Sequence, residues 1–167
     1  YVNISGTATV SQKVFGGGNK ANYGGKDTKV TLTSGSVAGG VYGGCNINGI
    51  ITGNTTVYLN GGIVGTAGNN DDHIVFGGGY GANTSTNGNV TLTINGSTIH
   101  GNVYGGSALG NVNASDKTTT VTLTTGTVNG SLYGGGLGDA GHAALVNGNV
   151  QVTVDGGSIG GAVYGCN

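Results

Sequence analysis

Proline, methionine, tryptophan, arginine and glutamate are all missing from this chain, and charged residues make up only 7% of its 167 positions. Five lysines stand against six aspartates, for a net charge of −1. Such a chain has no basic face to neutralise phosphates, which excludes nucleic acid as a partner. No run of about 18 apolar residues occurs, so the sequence holds no transmembrane helix, and no membrane insertion is expected. The residues from Tyr1 show no charged-then-apolar pattern, so no signal peptide is expected among them. Tyr1 and Asn167 both fall within repeating phrases. The expectation is a segment of a longer array, with export signal and end caps elsewhere.

Helices are also excluded. Glycine fills 40 of the 167 positions, and each glycine inside a helix costs roughly 1 kcal/mol. No window shows an apolar stripe at helical period. The glycines lack an every-third rhythm and proline is absent, so this is not collagen. Gly136-Leu137-Gly138-Asp139-Ala140-Gly141 has the glycines of a dinucleotide fingerprint. It lacks the strand–helix–strand setting that gives them meaning, so no cofactor is expected.

What the chain does have is a phrase that returns six times. It reads Val14-Phe15-Gly16-Gly17-Gly18, Val41-Tyr42-Gly43-Gly44-Cys45, Val75-Phe76-Gly77-Gly78-Gly79, Val103-Tyr104-Gly105-Gly106-Ser107, Leu132-Tyr133-Gly134-Gly135-Gly136 and Val163-Tyr164-Gly165-Cys166. The spacings are 27, 34, 28, 29 and 31 residues. Self-similarity at such a period marks a stacked repeat array. Ahead of each phrase lie alternating apolar and polar residues, such as Val30-Thr31-Leu32-Thr33 and Val121-Thr122-Leu123-Thr124. That period of two is the signal of half-buried strands, and its regular recurrence argues against disorder. Tyr1 to Val10 reads as an irregular copy with Val2 and Ile4 in the apolar places.

The fold class expected is all-β: a parallel β-helix (β-solenoid) of about six rungs of 27–34 residues, with a β-sandwich as the alternative. Residues 1–167 form one array. Rungs about 4.8 Å apart give a rise of only about 25–30 Å. Three inner columns are expected. Val30/Leu32, Val57/Leu59, Val90/Leu92, Val121/Leu123 and Val150/Val152 form the first. Val37, Ile63, Ile99, Val128 and Ile159 form the second, and Val14, Val41, Val75, Val103, Leu132 and Val163 the third. Polar loops, among them Asn46 to Thr55 and Gly79 to Asn89, hold the variation in length. Cys45 and Cys166 lie four copies apart, roughly 19 Å by strand spacing, so no bridge between them is expected.

The run Asn149-Val150-Gln151-Val152-Thr153-Val154-Asp155-Gly156-Gly157-Ser158-Ile159-Gly160-Gly161-Ala162-Val163-Tyr164-Gly165 resembles the Gly-rich Val-Tyr-Gly-Gly-Gly β-solenoid repeats of large secreted adhesin-like bacterial surface proteins. The resemblance covers nearly the whole chain. It implies a β-solenoid at the cell surface or outside the cell and brings no catalytic residues. The third copy departs from it, with Thr66 to His73 inserted between Gly65 and Ile74.

Candidate sites are few. The aromatic stripe Phe15, Tyr42, Phe76, Tyr104, Tyr133 and Tyr164 follows the inward aliphatics, so alternation points it outward or to a corner. It serves either as a stacking ladder that holds register or as a binding stripe for sugar rings or a second array. The outward threonines Thr31/Thr33, Thr91/Thr93, Thr122/Thr124 and Thr153 form a second row that could order water, with Tyr58/Asn60 and Gln151 interrupting it. The one acidic cluster, Asp71-Asp72-His73, sits in the insertion. It reads as a solvated loop first and as a weak metal site second. Asp139 with His142 makes a similar loop pair.

The expected function is therefore structural and adhesive, not enzymatic. The chain reads as a repeat segment of a secreted or cell-surface protein, filament-forming ones included. Expected partners are surface glycans or other copies of itself, end to end or side by side. The alternatives are an ice-binding or carbohydrate-binding face and, third, an enzyme acting on polysaccharide.

Overall fold

Strands and turns are the whole of the secondary structure in the computed structural model, which describes residues 1–68 and 73–166. The strands run in parallel from rung to rung. The expected parallel β-solenoid is what the chain forms.

Each rung begins with a strand on its first side. These are β1 (Val2–Ile4), β4 (Thr28–Leu32), β8 (Thr55–Leu59), β12 (Val90–Ile99), β15 (Thr118–Val128) and β17 (Asn149–Val154). A second side is formed by β2 (Thr9–Val10), β5 (Ser36–Val37), β9 (Ile63–Val64), the ends of β12 and β15, and β18 (Ser158–Ile159). β12 and β15 run unbroken round the corner, so both sides join in one ten-stranded sheet. The repeating phrase itself is the third side, a six-stranded sheet of β3 (Val14–Phe15), β6 (Val41–Tyr42), β10 (His73–Phe76), β13 (Asn102–Tyr104), β16 (Leu132–Tyr133) and β19 (Val163–Tyr164).

A fourth side was not foreseen. Segments expected as loops form a three-stranded parallel sheet of β7 (Asn46–Ile51), β11 (Tyr80–Thr86) and β14 (Asn111–Val112). Single bridges Asn19↔Asn46 and Val112↔Val146 extend it toward both ends. These segments lack clear apolar alternation. Their order comes from backbone pairing to the rung above and below.

The core is a column of Val, Leu and Ile from the first three sides. Two register expectations need correction. The inner columns run Val2, Val30, Val57, Leu92, Val121, Val152 and Ile4, Leu32, Leu59, Ile94, Leu123, Val154. Val90 and Val150 instead share a column with Thr28, Thr55 and Thr119. A shift of two residues preserves the inward and outward faces, so alternation alone cannot detect it. On the second side Val64, not Ile63, pairs with Val37 and is buried, while Ile63 is 44% exposed. The third column stands as expected.

Side-chain carbonyl and carboxylate oxygens stitch the corner before the first-side strands. Asp27 Oδ1 accepts the Asn54 N–H at 2.7 Å, Asn54 Oδ1 accepts Asn89 N–H at 2.8 Å, and Asn89 Oδ1 accepts Thr118 N–H at 2.9 Å. One such residue per rung helps set the register that the apolar pattern leaves open.

Candidate functional site

The phrase explains itself in three dimensions. Its aliphatic residue enters the core and its aromatic residue points to the opposite face of the same sheet. The first glycine then turns the corner. Gly16, Gly43, Gly77, Gly105 and Gly134 each face the carbonyl of the equivalent glycine one rung on, where a β-carbon would collide with the oxygen. Close backbone approach therefore demands glycine at this place in every rung. The turn keeps pairing across rungs, with Gly43 N–H donating to Phe76 O at 3.0 Å and Gly77 N–H to Tyr104 O at 2.9 Å.

The six aromatics form one continuous stack. Centroid separations are 4.8 Å for Phe15–Tyr42, 5.0 Å for Tyr42–Phe76, 4.9 Å for Phe76–Tyr104, 4.6 Å for Tyr104–Tyr133 and 4.7 Å for Tyr133–Tyr164. Ring planes lie within 18° of parallel. The rungs enforce this spacing, which is the strand separation itself.

The stripe forms the stacking ladder, and pointing away from the core does not leave its middle rings open to water. Tyr42, Phe76 and Tyr104 are buried, Phe15 and Tyr133 are half-buried, and only Tyr164 is exposed. The rungs on either side cover their faces. Ala108, Tyr80 and Leu137 pack alongside the stack, and Tyr80 meets Tyr42 edge-on at 5.6 Å. The Lys13 ammonium lies 3.8 Å from the centre of the Tyr80 ring. Burial, followed by the nearby Tyr80, pushes the Tyr42 phenol well above the usual tyrosine range. A sugar ring stacks on an open aromatic face, and the inner rings have none to offer.

The outer face of the ten-stranded sheet is different. The two-residue shift aligns Thr56, Thr91 and Thr120 in one column and Thr93, Thr122 and Thr153 in the next. Lys29 and Gln151 end the first column, while Asn3, Thr31 and Tyr58 precede the threonines of the second. A third column of hydroxyl residues, interrupted by Ile63, runs Thr9, Ser36, Ile63, Thr98, Thr127, Ser158. The Ser158 hydroxyl donates to Thr127 Oγ1 at 3.2 Å. Correct register from the Asp27, Asn54 and Asn89 corner would have found the regular threonine block.

The acidic candidates are scattered. Asp71 and Asp72 lie outside the described residues, as does the side chain of His73. Asp139 accepts the Gly141 N–H at 2.8 Å and contacts His142 Nδ1 at 3.0 Å, both at the surface. The Gly141 and His142 contacts hold the Asp139 carboxyl below its usual range. Asp116 pairs with Lys117 at 2.7 Å, again at the surface. Among the described residues, no three His, Cys, Asp or Glu side chains converge on a metal position. Cys45 is buried, Cys166 is exposed, and both are free thiols. A hollow of about 470 Å³ near the last rung is lined by Gly135, Gly136, Gly138, Asp139, the 143–146 stretch, Val150 and Cys166. It gathers one carboxylate and one thiol, without the paired acid and base that hydrolysis requires.

Comparison with known protein families, curated proteins and solved structures finds no match to this chain.

Proposed function

We propose that this chain is a non-catalytic structural segment, a stiff adhesive rod belonging to a secreted or cell-surface protein. The observation that carries this reading is the continuous stacking from rung to rung. Core columns, the aromatic stack and the glycine corner all run from the first rung to the last. A rod held by interactions along its own axis suits a spacer or stalk. Low charge and long uniform faces suit repeated weak contacts with glycans or with other arrays, which gain strength through multivalency.

The contact surface for that role is the hydroxyl face rather than the aromatic stripe, because the stripe spends its ring faces on itself. The threonine block also supports a second reading, a carbohydrate-binding or ice-binding face. Its columns present methyl and hydroxyl groups about 4.8 Å apart between rungs and about 6.6 Å apart along each strand. The third reading, a polysaccharide-active enzyme, needs a carboxylate pair across a groove, and none of the described aspartates supports it.

Beads coated with the chain, applied to immobilised glycans and matrix proteins, test the proposal. Adhesion is expected on dense coatings and not from free monomer. It is lost when Thr91, Thr93, Thr120 and Thr122 are changed to Lys, and kept when Tyr133 is changed to Ser. Loss with the Tyr133 change alone would restore the aromatic stripe as the site. Absence of adhesion at every density would end the adhesive reading. Thermal hysteresis that disappears with the four threonine changes would favour ice, and released sugars would favour the enzyme.

A further inference from the structure

Asparagine is followed by glycine at six places in the chain. In such a pair the glycine nitrogen can close on the asparagine side chain, because no β-carbon stands in the way. The fold treats the six pairs differently. After Asn60, Asn87 and Asn129 the glycine N–H is held: Gly61 donates to Ser97 Oγ at 3.1 Å, Gly88 to Gly53 O at 3.2 Å and Gly130 to Gly101 O at 3.1 Å. After Asn48, Gly49 pairs with Thr84 in the fourth sheet and has the Ala21 carbonyl where a β-carbon would be. Asn147 is held through its own amide, which donates to Asn113 O at 3.3 Å. Reaction at any of these five must first break a contact, at the free-energy cost of a local opening.

Asn95-Gly96 is the exception. Both residues are exposed, at the corner where β12 passes from the first side to the second. Pairing with β8 runs up to Ile94 and pairing with β9 resumes at Thr98, while the register with β15 shifts at Asn95. Among the described residues, Gly96 has no partner in these three ladders. A second observation bears on reactivity. The Thr125 hydroxyl of the next rung donates to Asn95 Oδ1 at 3.1 Å. That hydrogen bond draws electron density from Cγ and strengthens as the oxygen gains negative charge.

We propose that Asn95 is a site of spontaneous deamidation in the folded chain, assisted by Thr125. The Gly96 backbone nitrogen attacks Asn95 Cγ and gives its proton to solvent. The Cγ–Nδ2 bond breaks, and the nitrogen takes a proton from water and leaves as ammonia. Water then opens the cyclic imide to aspartate or isoaspartate. Nothing is oxidised or reduced, and water is the only co-reactant. The product is one unit more negative than the native −1. Asn95 follows Thr93 on the outward face of β12, so the new carboxylate lands at the edge of the threonine block. The isoaspartyl form also lengthens the β12 backbone by one methylene at its corner. This chemistry does not depend on the adhesive reading.

The folded chain, kept in heavy-oxygen water at mildly alkaline pH and sampled over weeks by peptide mapping with tandem mass spectrometry, tests the proposal. Solvent oxygen should enter at Asn95 about tenfold faster than at any of the other five asparagines, because those must open first. In denaturant the six should react at similar rates. Thr125 is exposed, so its replacement leaves the core intact. Thr125→Val should slow the Asn95 reaction about threefold through the lost hydrogen bond, and Thr125→Ser should keep the native rate. A folded-state rate at Asn95 no greater than at the other five overturns the proposal. So does a preference for Asn95 that persists in denaturant, since the fold would then not be its cause. An unchanged rate in Thr125→Val overturns the part given to the hydroxyl.

Discussion

At the scale of the residue, the most constrained positions are those with the least side chain. Gly77 has the next rung's carbonyl where its β-carbon would be, while Gly24 has nothing within 4 Å. Gly77→Ala should therefore lower stability by about 3 kcal/mol and Gly24→Ala by less than about 0.5 kcal/mol. Chemical denaturation of both variants checks this, and equal losses would refute the close-approach argument. Thr55 makes the opposite case. Its hydroxyl is buried without a hydrogen-bond partner, in a column that holds valine at Val90 and Val150. An orphaned buried hydroxyl costs about 1–3 kcal/mol. Thr55→Val should then raise stability by about 1 kcal/mol, read as a higher denaturation midpoint. Tyr42 sets a pH dependence. Its folded pKa is raised by burial, so the fold favours the protonated phenol. That contribution is complete below the ordinary tyrosine pKa of about 10 and is lost as pH climbs above it. Melting temperature should fall more steeply in strong alkali for the native chain than for Tyr42→Phe; parallel curves would show that Tyr42 is not the cause.

At the scale of the element, the long strands show how far a pattern of two can be read. Alternation named the inward face of β4, β8, β12 and β15 correctly, because a half-buried strand must put its apolar residues on one side. Leu92 is fully buried and Thr91 half-buried on the opposite face. Leu92→Asp should unfold the middle rungs by burying an unpaired charge, and Leu92→Ala should cost about 2–5 kcal/mol. Thr91→Asp should stay within about 1 kcal/mol. Thermal melts decide, with similar losses for the two aspartate variants ruling out the assigned faces. The same alternation could not reveal that Leu92 stacks on Val57 and that Val90 stacks on Thr55. The candidate stripe was legible in the same partial way. Six aromatics at rung spacing announced a stack, but the pattern could not show that Tyr80, Ala108 and Leu137 pack beside it. Tyr80 comes from a segment with no strand-like pattern of its own.

At the scale of the molecule, each rung touches only its neighbours, so stability is close to a sum of rung and interface terms. Protection from hydrogen exchange should be highest in β8, β12 and β15, which pair on both sides, and lowest in β1 and β17, which pair on one. Amide exchange measured strand by strand checks this, and uniform protection from end to end would mean that the rod unfolds as one unit. The thiols report the same gradient. Cys166 is exposed and should be alkylated at once, whereas Cys45 is buried with its thiol pKa raised by that burial. Cys45 should react only as fast as the inner rungs open.

The sequence by itself determined the rung period, the absence of helix and the inward faces of the first-side strands. These are demands of the chain itself: a half-buried strand needs alternation, a repeated rung needs a repeated phrase, and a glycine-rich chain disfavours helix. The glycine corners belong to the tertiary structure, because the carbonyl that crosses each one comes from the next rung. Only the tertiary structure decided the lateral register, the choice of Val64 over Ile63, the fourth sheet and the burial of the aromatic faces. These depend on which rung lies above which. A shift of two residues costs the local pattern nothing, and a polar segment pairs when its neighbour offers an edge. The corner side-chain oxygens of Asp27, Asn54 and Asn89 help resolve that choice in space, one hydrogen bond per rung.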